Sequence, residues 1–214
     1  MNIILLGAPG SGKGTQAEKL VQDHNFEQLS TGDLFRKNIN DKTEMGVEAS
    51  KLINAGKLVP DDITNKMVDN HLKNNRSDGL IFDGYPRTIN QAEVLNDLLK
   101  SSQSKIDKVI LLEVDEEKLL ERLVGRLICP QCKRSFHVKN RPPKTPGICD
   151  YDKSVLITRP DDSPEKISIR LQAYEKETKP LVEFYEGKGN LIKIKADNLT
   201  SQQVNESILK ALEL

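Results

Sequence analysis

The segment Gly7-Ala8-Pro9-Gly10-Ser11-Gly12-Lys13-Gly14-Thr15 constrains this chain more than any other. An apolar run, Asn2 to Leu6, leads into it, and a run with helical spacing, Gly12 to His24, leads out. Its glycines let the backbone wrap closely, with several N–H groups turned inward. The helix N-terminus adds a partial positive charge. Lys13 is placed to bridge outer phosphates, and a hydroxyl can approach Mg2+. The strict pattern asks for Ser or Thr directly after the lysine, whereas here Gly14 stands there and Thr15 follows. The one Asn-Lys pair, Asn65-Lys66, continues as Met67-Val68, which disfavours a guanine-specific switch protein.

The rest of the chain alternates strands and helices. Strands are expected at Asn2–Leu6, Gly79–Phe82 ending in Asp83, Lys108–Val114 and Leu191–Lys195. In the first helix Ala17, Leu20 and Val21 share a face. Helices are predicted over Asp33–Asn40 and Glu44–Ala55, and from Asp61 and Asp62 to about Asn75. Thr88 caps a helix carrying Ala92, Leu95, Leu98 and Leu99. Asp115 caps one running through Leu120, Leu123 and Val124. Ser163-Pro164-Glu165 opens a helix to Glu186, and Thr200 opens a last one. The pattern predicts an α/β chain with a mostly parallel sheet covered on both faces.

A length of 214 residues suits one large domain or one domain with insertions. Lys plus Arg and Asp plus Glu both number 32, without the basic excess usual in nucleic-acid binders. The apolar N-terminal run is too short to span a membrane and lacks the flank of a secretory signal, so a cytoplasmic protein is expected. Three Cys, an odd number, argue against a disulfide framework.

All three lie in the stretch from Arg126 to Ser163, which holds five of the ten prolines and little helical periodicity. It reads as an inserted mini-domain. Cys129-Pro130-Gln131-Cys132 and Cys149-Asp150-Tyr151-Asp152 form two paired-ligand knuckles. Three thiolates and a carboxylate suit tetrahedral Zn2+, and four protein ligands leave no open position, so the metal is expected to be structural. A staple suits a unit too small to bury much apolar surface. Asp150 and His137 are rival fourth ligands, and the spacing favours Asp152.

The Gly-x-Pro-Gly-x-Gly-Lys-Gly-Thr form of the loop resembles that of adenylate kinases. Leu29-Ser30-Thr31-Gly32-Asp33, Phe82-Asp83-Gly84-Tyr85-Pro86-Arg87 and Arg159-Pro160-Asp161-Asp162 strengthen the resemblance, in the family's order over most of the chain. The whole sequence is similar to bacterial long-lid adenylate kinases with a metal-bearing lid, in which Asp occupies the fourth ligand position. The resemblance implies a P-loop three-layer fold with a five-stranded parallel sheet. It divides the chain into a CORE (1–29, 60–125 and 164–214), a helical AMP-binding segment (30–59) and an inserted zinc-binding lid (126–163). It implies reversible phosphoryl transfer from Mg-ATP to AMP, giving two ADP, by a monomer.

Such chemistry brings two polyanions together, and catalysis is mainly positioning and charge neutralisation. Guanidinium forks suit phosphate oxygens. By resemblance Lys13, Arg87, Arg122, Arg126, Arg159 and Arg170 serve catalysis. Gly10, Ser11, Gly12, Lys13, Gly14 and Thr15 hold ATP with Arg122, Arg126, Ser135, Phe136 and the backbone of Asn198. Phe136 reads equally as a residue of a small lid core. Thr31, Arg36, Lys57, Leu58 and Val59 hold AMP, with Gly84, Tyr85, Pro86, Arg87, Gln91, Arg159 and Arg170. Gln91 can offer a donor and an acceptor together to an adenine edge. Asp83, at the carboxyl edge of the sheet, can orient water on Mg2+. Asp161 and Asp162 are expected to join lid to core. His24, His71 and His137 need no catalytic role. The rival readings are a UMP or CMP kinase and an ATP-gated binding module.

Overall fold

The computed structural model describes residues 1–74, 79–159 and 161–214. The expected helix end at Asn75 and Pro160 of the Arg159–Asp162 segment lie outside these residues. Strands β1 (Asn2–Leu6), β2 (Glu27–Ser30), β3 (Leu80–Asp83) and β4 (Lys108–Glu113) enter one sheet. The chain then makes a separate antiparallel ribbon, β5 (Arg126–Ile128) with β6 (Ser135–His137), and returns to the sheet as β7 (Leu191–Lys195). The sheet is parallel throughout, in the order β2-β3-β1-β4-β7. The residue pattern alone misses β2. Of Glu27-Gln28-Leu29-Ser30 only Leu29 is buried, because this edge strand pairs with β3 alone.

Around the sheet lie α1 (Lys13–His24), α2 (Thr31–Asn40), α3 (Glu44–Asn54), α4 (Asp61–Asn74), α5 (Ile89–Ser101), α6 (Glu116–Val124), α7 (Pro164–Ala173), α8 (Leu181–Gly187) and α9 (Ser201–Leu212). Strand alternation sends successive side chains to opposite faces. Ile4, Leu6, Phe82, Val109 and Leu111 pack against Ala92, Leu95 and Leu99 of α5 and Leu181 and Tyr185 of α8. Ile3, Leu5, Ile81, Ile110 and Leu112 pack against Ala17 and Leu20 of α1 and Val204 and Ile208 of α9. The result is three layers, each buried large apolar side chain contributing about 1.5–3 kcal/mol.

Several helices differ in detail from expectation. On α1 Val21 is exposed, and Gln16 is buried instead, donating to Ser201 O at 3.0 Å. On α6 Leu120 and Val124 are exposed, because the i, i+4 pair Leu119 and Leu123 takes the buried stripe against Ile167 and Leu171 of α7. Ser30 caps α2, whose first residue, Thr31, lies two ahead of the expected start at Asp33. Thr88 and Thr200 cap α5 and α9 as expected. Asp115 sits at the N-cap of α6 without a side-chain cap bond, and its N–H donates to Asp197 at 2.6 Å. The long helix to Glu186 is interrupted. α7 passes into a π-helical turn, Tyr174–Thr178, in which Lys179 N–H reaches back to Tyr174 O. Pro180, lacking an N–H, then separates it from α8.

Two excursions leave the layers. α2, α3 and the start of α4 share a small core of Phe35, Ala49, Val59 and Met67. The 126–163 segment has its own core of Cys129, Phe136, Cys149 and Leu156.

Candidate active site

The segments that follow β1, β2, β3 and β7 meet at the carboxyl edge of the sheet. β1 and β3 are neighbours, but the chain leaves β1 toward β2 and leaves β3 toward β4, on opposite sides. Ligands of open α/β sheets sit at such a switch point. The Gly7–Thr15 loop follows β1, and Asp83 ends β3 in register with Leu5. Gly7 adopts φ +141°, and a Cβ there would lie 2.6 Å from Ser11 Oγ and 2.7 Å from Leu112 O. Only glycine fits that turn. Gly12 begins α1 without a side-chain cap, so its first N–H groups remain for an anion.

A cavity of about 870 Å³ opens over this edge. Among the described residues twelve Lys and Arg but six Asp and Glu line it, which suits a polyanion. Of the residues singled out in the sequence, Gly10 to Thr15, Thr31, Arg36, Lys57, Leu58 and Val59 line it. So do Asp83, Gly84, Pro86, Arg87, Gln91, Arg122 and Arg126, with Ser135, Phe136, Arg159, Arg170 and Asn198. Tyr85 does not. It is buried in the core, its hydroxyl donating to Asn65 Oδ1 at 2.8 Å. Phe136 is at once a wall of the cavity and a core residue of the 126–163 segment.

Lys13 Nζ donates to Gly7 O at 2.7 Å and Ala8 O at 3.0 Å, folded back on its own loop. Withdrawal from water lowers its ammonium to about 8, with Asp83 opposing the shift and Arg87, Arg170 and Arg126 adding to it. Arg87 is held to Gly84 O at 2.9 Å, and burial with Arg170 nearby lowers it to about 10. Burial lowers Arg159 to about 9, reinforced by Arg126 and Arg36, and its Nε is buried without a partner. These cations crowd one another around the cavity. Two aspartates partly offset them. Asp162 accepts from Arg126 at 2.8 and 2.5 Å and from Arg170 at 2.8 Å, and Asp161 pairs with Arg170 at 2.9 Å. Arg36 pairs with Asp33, and Arg122 reaches Ala196 O at 2.8 Å.

Thr31 Oγ1 donates to Gly84 O at 2.8 Å. Asp83 Oδ2 accepts from Gln28 Nε2 at 3.0 Å, and a Cβ on Gly14 would lie 3.5 Å from it. A carboxylate is therefore held beside the start of α1. Gln28 escaped the sequence reading because its strand did. Glu18 also escaped it. Its carboxylate accepts from Arg134 at 2.9 Å and Arg141 at 3.3 Å, and a charged residue on an amphipathic helix carries no sequence signal of such a partner.

Cys129, Cys132, Cys149 and Asp152 offer ligand atoms all within 4.8 Å of one another. The Cys132 and Cys149 sulfurs are 3.6 Å apart, near the roughly 3.8 Å edge of a tetrahedron with Zn–S of about 2.3 Å. The donor set fits Zn2+. Neither rival is in this cluster: His137 accepts from the N–H groups of Lys139 and Asn140 at 3.0 Å, and Asp150 from that of Lys144 at 2.8 Å.

The family model described as "Adenylate kinase" matches residues 5–190. Adenylate kinase of Mesoplasma florum is 53% identical over 99% of this chain and 100% of its own length. That of Mycoplasma capricolum is 49% identical over 100% of both chains. That of Oceanobacillus iheyensis is 47% identical over 98% of this chain and 99% of its own.

Proposed function

The chain belongs to the adenylate kinase family, and from that premise we propose a specific division of labour among its residues. The protein is a nucleoside monophosphate kinase that transfers the terminal phosphoryl group of ATP to AMP, giving two ADP. One observation carries the proposal: a single cavity joins the Gly7–Thr15 loop to Arg36, Arg87, Arg126, Arg159 and Arg170. A cluster of cations only partly offset by Asp161 and Asp162 is stabilised further when anions from two substrates enter between them.

In this reading Gly10 to Thr15 hold the ATP phosphates, with Arg122 and Arg126 beside them. Ser135, Phe136 and the Asn198 backbone receive the ATP adenosine. Thr31, Arg36, Lys57 to Val59, Gly84, Pro86, Arg87 and Gln91 receive AMP, while Tyr85 supports this turn from the core. Arg87, Arg159 and Arg170 orient the phosphates that react, and AMP supplies the attacking oxygen. Mg2+, when bound with ATP, neutralises phosphate charge, and Asp83 would orient its water. Residues 30–59 form the AMP-binding segment and 126–163 the lid of a CORE comprising 1–29, 60–125 and 164–214. Their closure excludes water that would otherwise take the phosphoryl group. Zn2+ on Cys129, Cys132, Cys149 and Asp152 holds the lid together and takes no part in transfer. The protein works as a cytoplasmic monomer, so light scattering should give about 24.0 kDa, and a dimer mass would contradict this.

A coupled assay with AMP, CMP, UMP and GMP as acceptors tests the whole. AMP should turn over fastest. Faster turnover with CMP or UMP would replace the acceptor, and no turnover at all would leave a binding module.

A further inference from the structure

Gln91, on the first turn of α5, has both ends of its side chain engaged. Its Oε1 accepts from Arg87 N–H at 2.7 Å, and its Nε2 donates to Asp61 Oδ1 at 2.6 Å. Asp61, the first residue of α4, is itself held by the Thr88 hydroxyl, which donates to Oδ2 at 2.8 Å and accepts from Gln91 N–H at 3.1 Å. Gln91 lines the main cavity and Asp61 does not. Asp61 lines instead a second, shallower cavity with Lys57 to Pro60 and Thr88, so it meets the amide from outside the main cavity.

The two partners permit one orientation of the amide. An ionised carboxylate only accepts, and a backbone N–H only donates. Rotating the amide by a half turn would set Oε1 against the carboxylate and the NH2 group against the N–H, two repulsive contacts. The assignment of oxygen and nitrogen is thus dictated by chemistry. Each protein bond uses one of the two N–H donors and one of the two oxygen lone pairs, so one donor and one acceptor remain. Adenine presents an acceptor at N1 and a donor at its amino group, which such a pair matches. Hypoxanthine presents the reverse, a donor at N1 and an acceptor at O6.

We propose that Asp61 is a positioning residue that locks the Gln91 amide in the orientation selecting adenine over hypoxanthine. The proposal rests on the reading of Gln91 as the contact to the AMP base. Asp61 touches no substrate and acts only through Gln91. In a single sequence it reads as an ordinary acidic residue at a helix start.

The experiment compares kcat/KM for AMP and for IMP, with ATP as donor. In Asp61→Ala the AMP-to-IMP ratio should fall by about tenfold, the Arg87 N–H retaining part of the lock. KM for AMP should rise while KM for ATP moves little. Asp61→Ser carries the same expectation, since a hydroxyl faces either end of the amide equally, and it serves if the alanine variant folds poorly. Asp61→Asn should keep most of the ratio, its oxygen toward Gln91 and its nitrogen toward the Thr88 oxygen. A purely structural role would lower stability in these variants and leave the ratio in place. Gln91→Leu separates the two layers. If it collapses the ratio and Asp61→Ala and Asp61→Ser do not, the positioning role is overturned and the base contact stands. If Gln91→Leu leaves the ratio intact, the base contact itself is wrong, and the role of Asp61 falls with it.

Discussion

Glu18 on α1 and Arg134 in the 126–163 segment form an ion pair of 2.9 Å, and Arg141 joins the same carboxylate at 3.3 Å. The Arg134 guanidinium also lies 3.6 Å from the centre of the Tyr151 ring. These contacts tie the proposed lid to the layer that carries the phosphate loop. A half-buried pair of this kind contributes about 1 kcal/mol, which corresponds to roughly a fivefold effect. Glu18→Gln should therefore raise KM for ATP by about three- to fivefold, with little change in melting temperature. Steady-state kinetics at low and high salt would check it, because the wild-type advantage should shrink as salt screens the pair. An unchanged KM at low salt would remove the contact from the closing step.

Lys13 donates to the carbonyls of its own loop, and its substitution by Met should leave the fold intact. The kcat value should drop by about a hundredfold or more, the usual consequence of removing a cation from a transferring phosphoryl group. Near-normal turnover in Lys13→Met would contradict the phosphate-loop assignment.

The same lysine predicts a proton linkage. Its pKa is lowered from the ordinary 10.5 to about 8 in the free protein. Between those values the unfolded chain binds more protons at this site than the folded one, so the group's contribution to stability rises with pH across that window. A triphosphate beside it favours the charged form and raises the pKa again. ATP binding near pH 8.5 should thus take up protons, seen by calorimetry in buffers of different ionisation heat, and the uptake should vanish in Lys13→Met. Proton release in the wild type would contradict the sign.

Metal removal offers a test of the Cys129–Asp152 cluster. Purified protein should carry about one Zn per chain, and Cys149→Ala or a strong chelator should lower the melting temperature by about 5–15 °C. A fully active preparation free of zinc, indifferent to chelator, would exclude the structural metal.

Asp162 balances Arg126 and Arg170 from a side chain only 3% exposed. Asp162→Asn leaves Arg126 without its carboxylate and Arg170 with Asp161 alone, at a cost of about 2–3 kcal/mol, below the roughly 3–5 kcal/mol of a fully broken buried pair because Asp161 remains. The melting temperature should fall by about 5–10 °C without nucleotide. It should fall by less with saturating Mg-ADP, because bound phosphates replace the missing charge. An equal fall in both states would mean that Asp162 matters only for packing.

The regular layers were legible because period and burial coincide in them. β1, β3 and β4 are continuous apolar or nearly apolar runs, β7 sets Leu191, Ile192 and Ile194 among lysines, and Thr88 and Thr200 carry their own caps. β2 was not legible, since an edge strand with one buried residue has no apolar pattern to read. Nor was the break after Ala173, where the i to i+5 bond of Lys179 and the missing N–H of Pro180 divide what helical spacing alone would continue. On α1 Ala17 and Leu20 are buried as expected and Val21 is not, and on α6 Leu123 is buried while Leu120 and Val124 are not, because neighbouring apolar residues on a helix are told apart only by what packs against them.

The amino-acid sequence by itself determined the chemistry this protein can hold. Its run from Gly7 to Thr15 specifies a glycine-rich turn between a strand and a helix, and the spacing of Cys129, Cys132 and Cys149 specifies three thiol donors within one short segment, with Asp152 favoured as the fourth. Both are local, so chain order suffices. Tertiary structure alone decided the partnerships across distance: Glu18 with Arg134, Gln28 with Asp83, and Asp61 with Gln91. Each joins a polar residue to another 30 or more positions away, and a lone charge or amide on a helix or edge strand looks the same whether it meets water or a partner. The glycine-rich loop is thus legible from chain order, while the folded chain sets which cations gather over it and which carboxylates hold them in place.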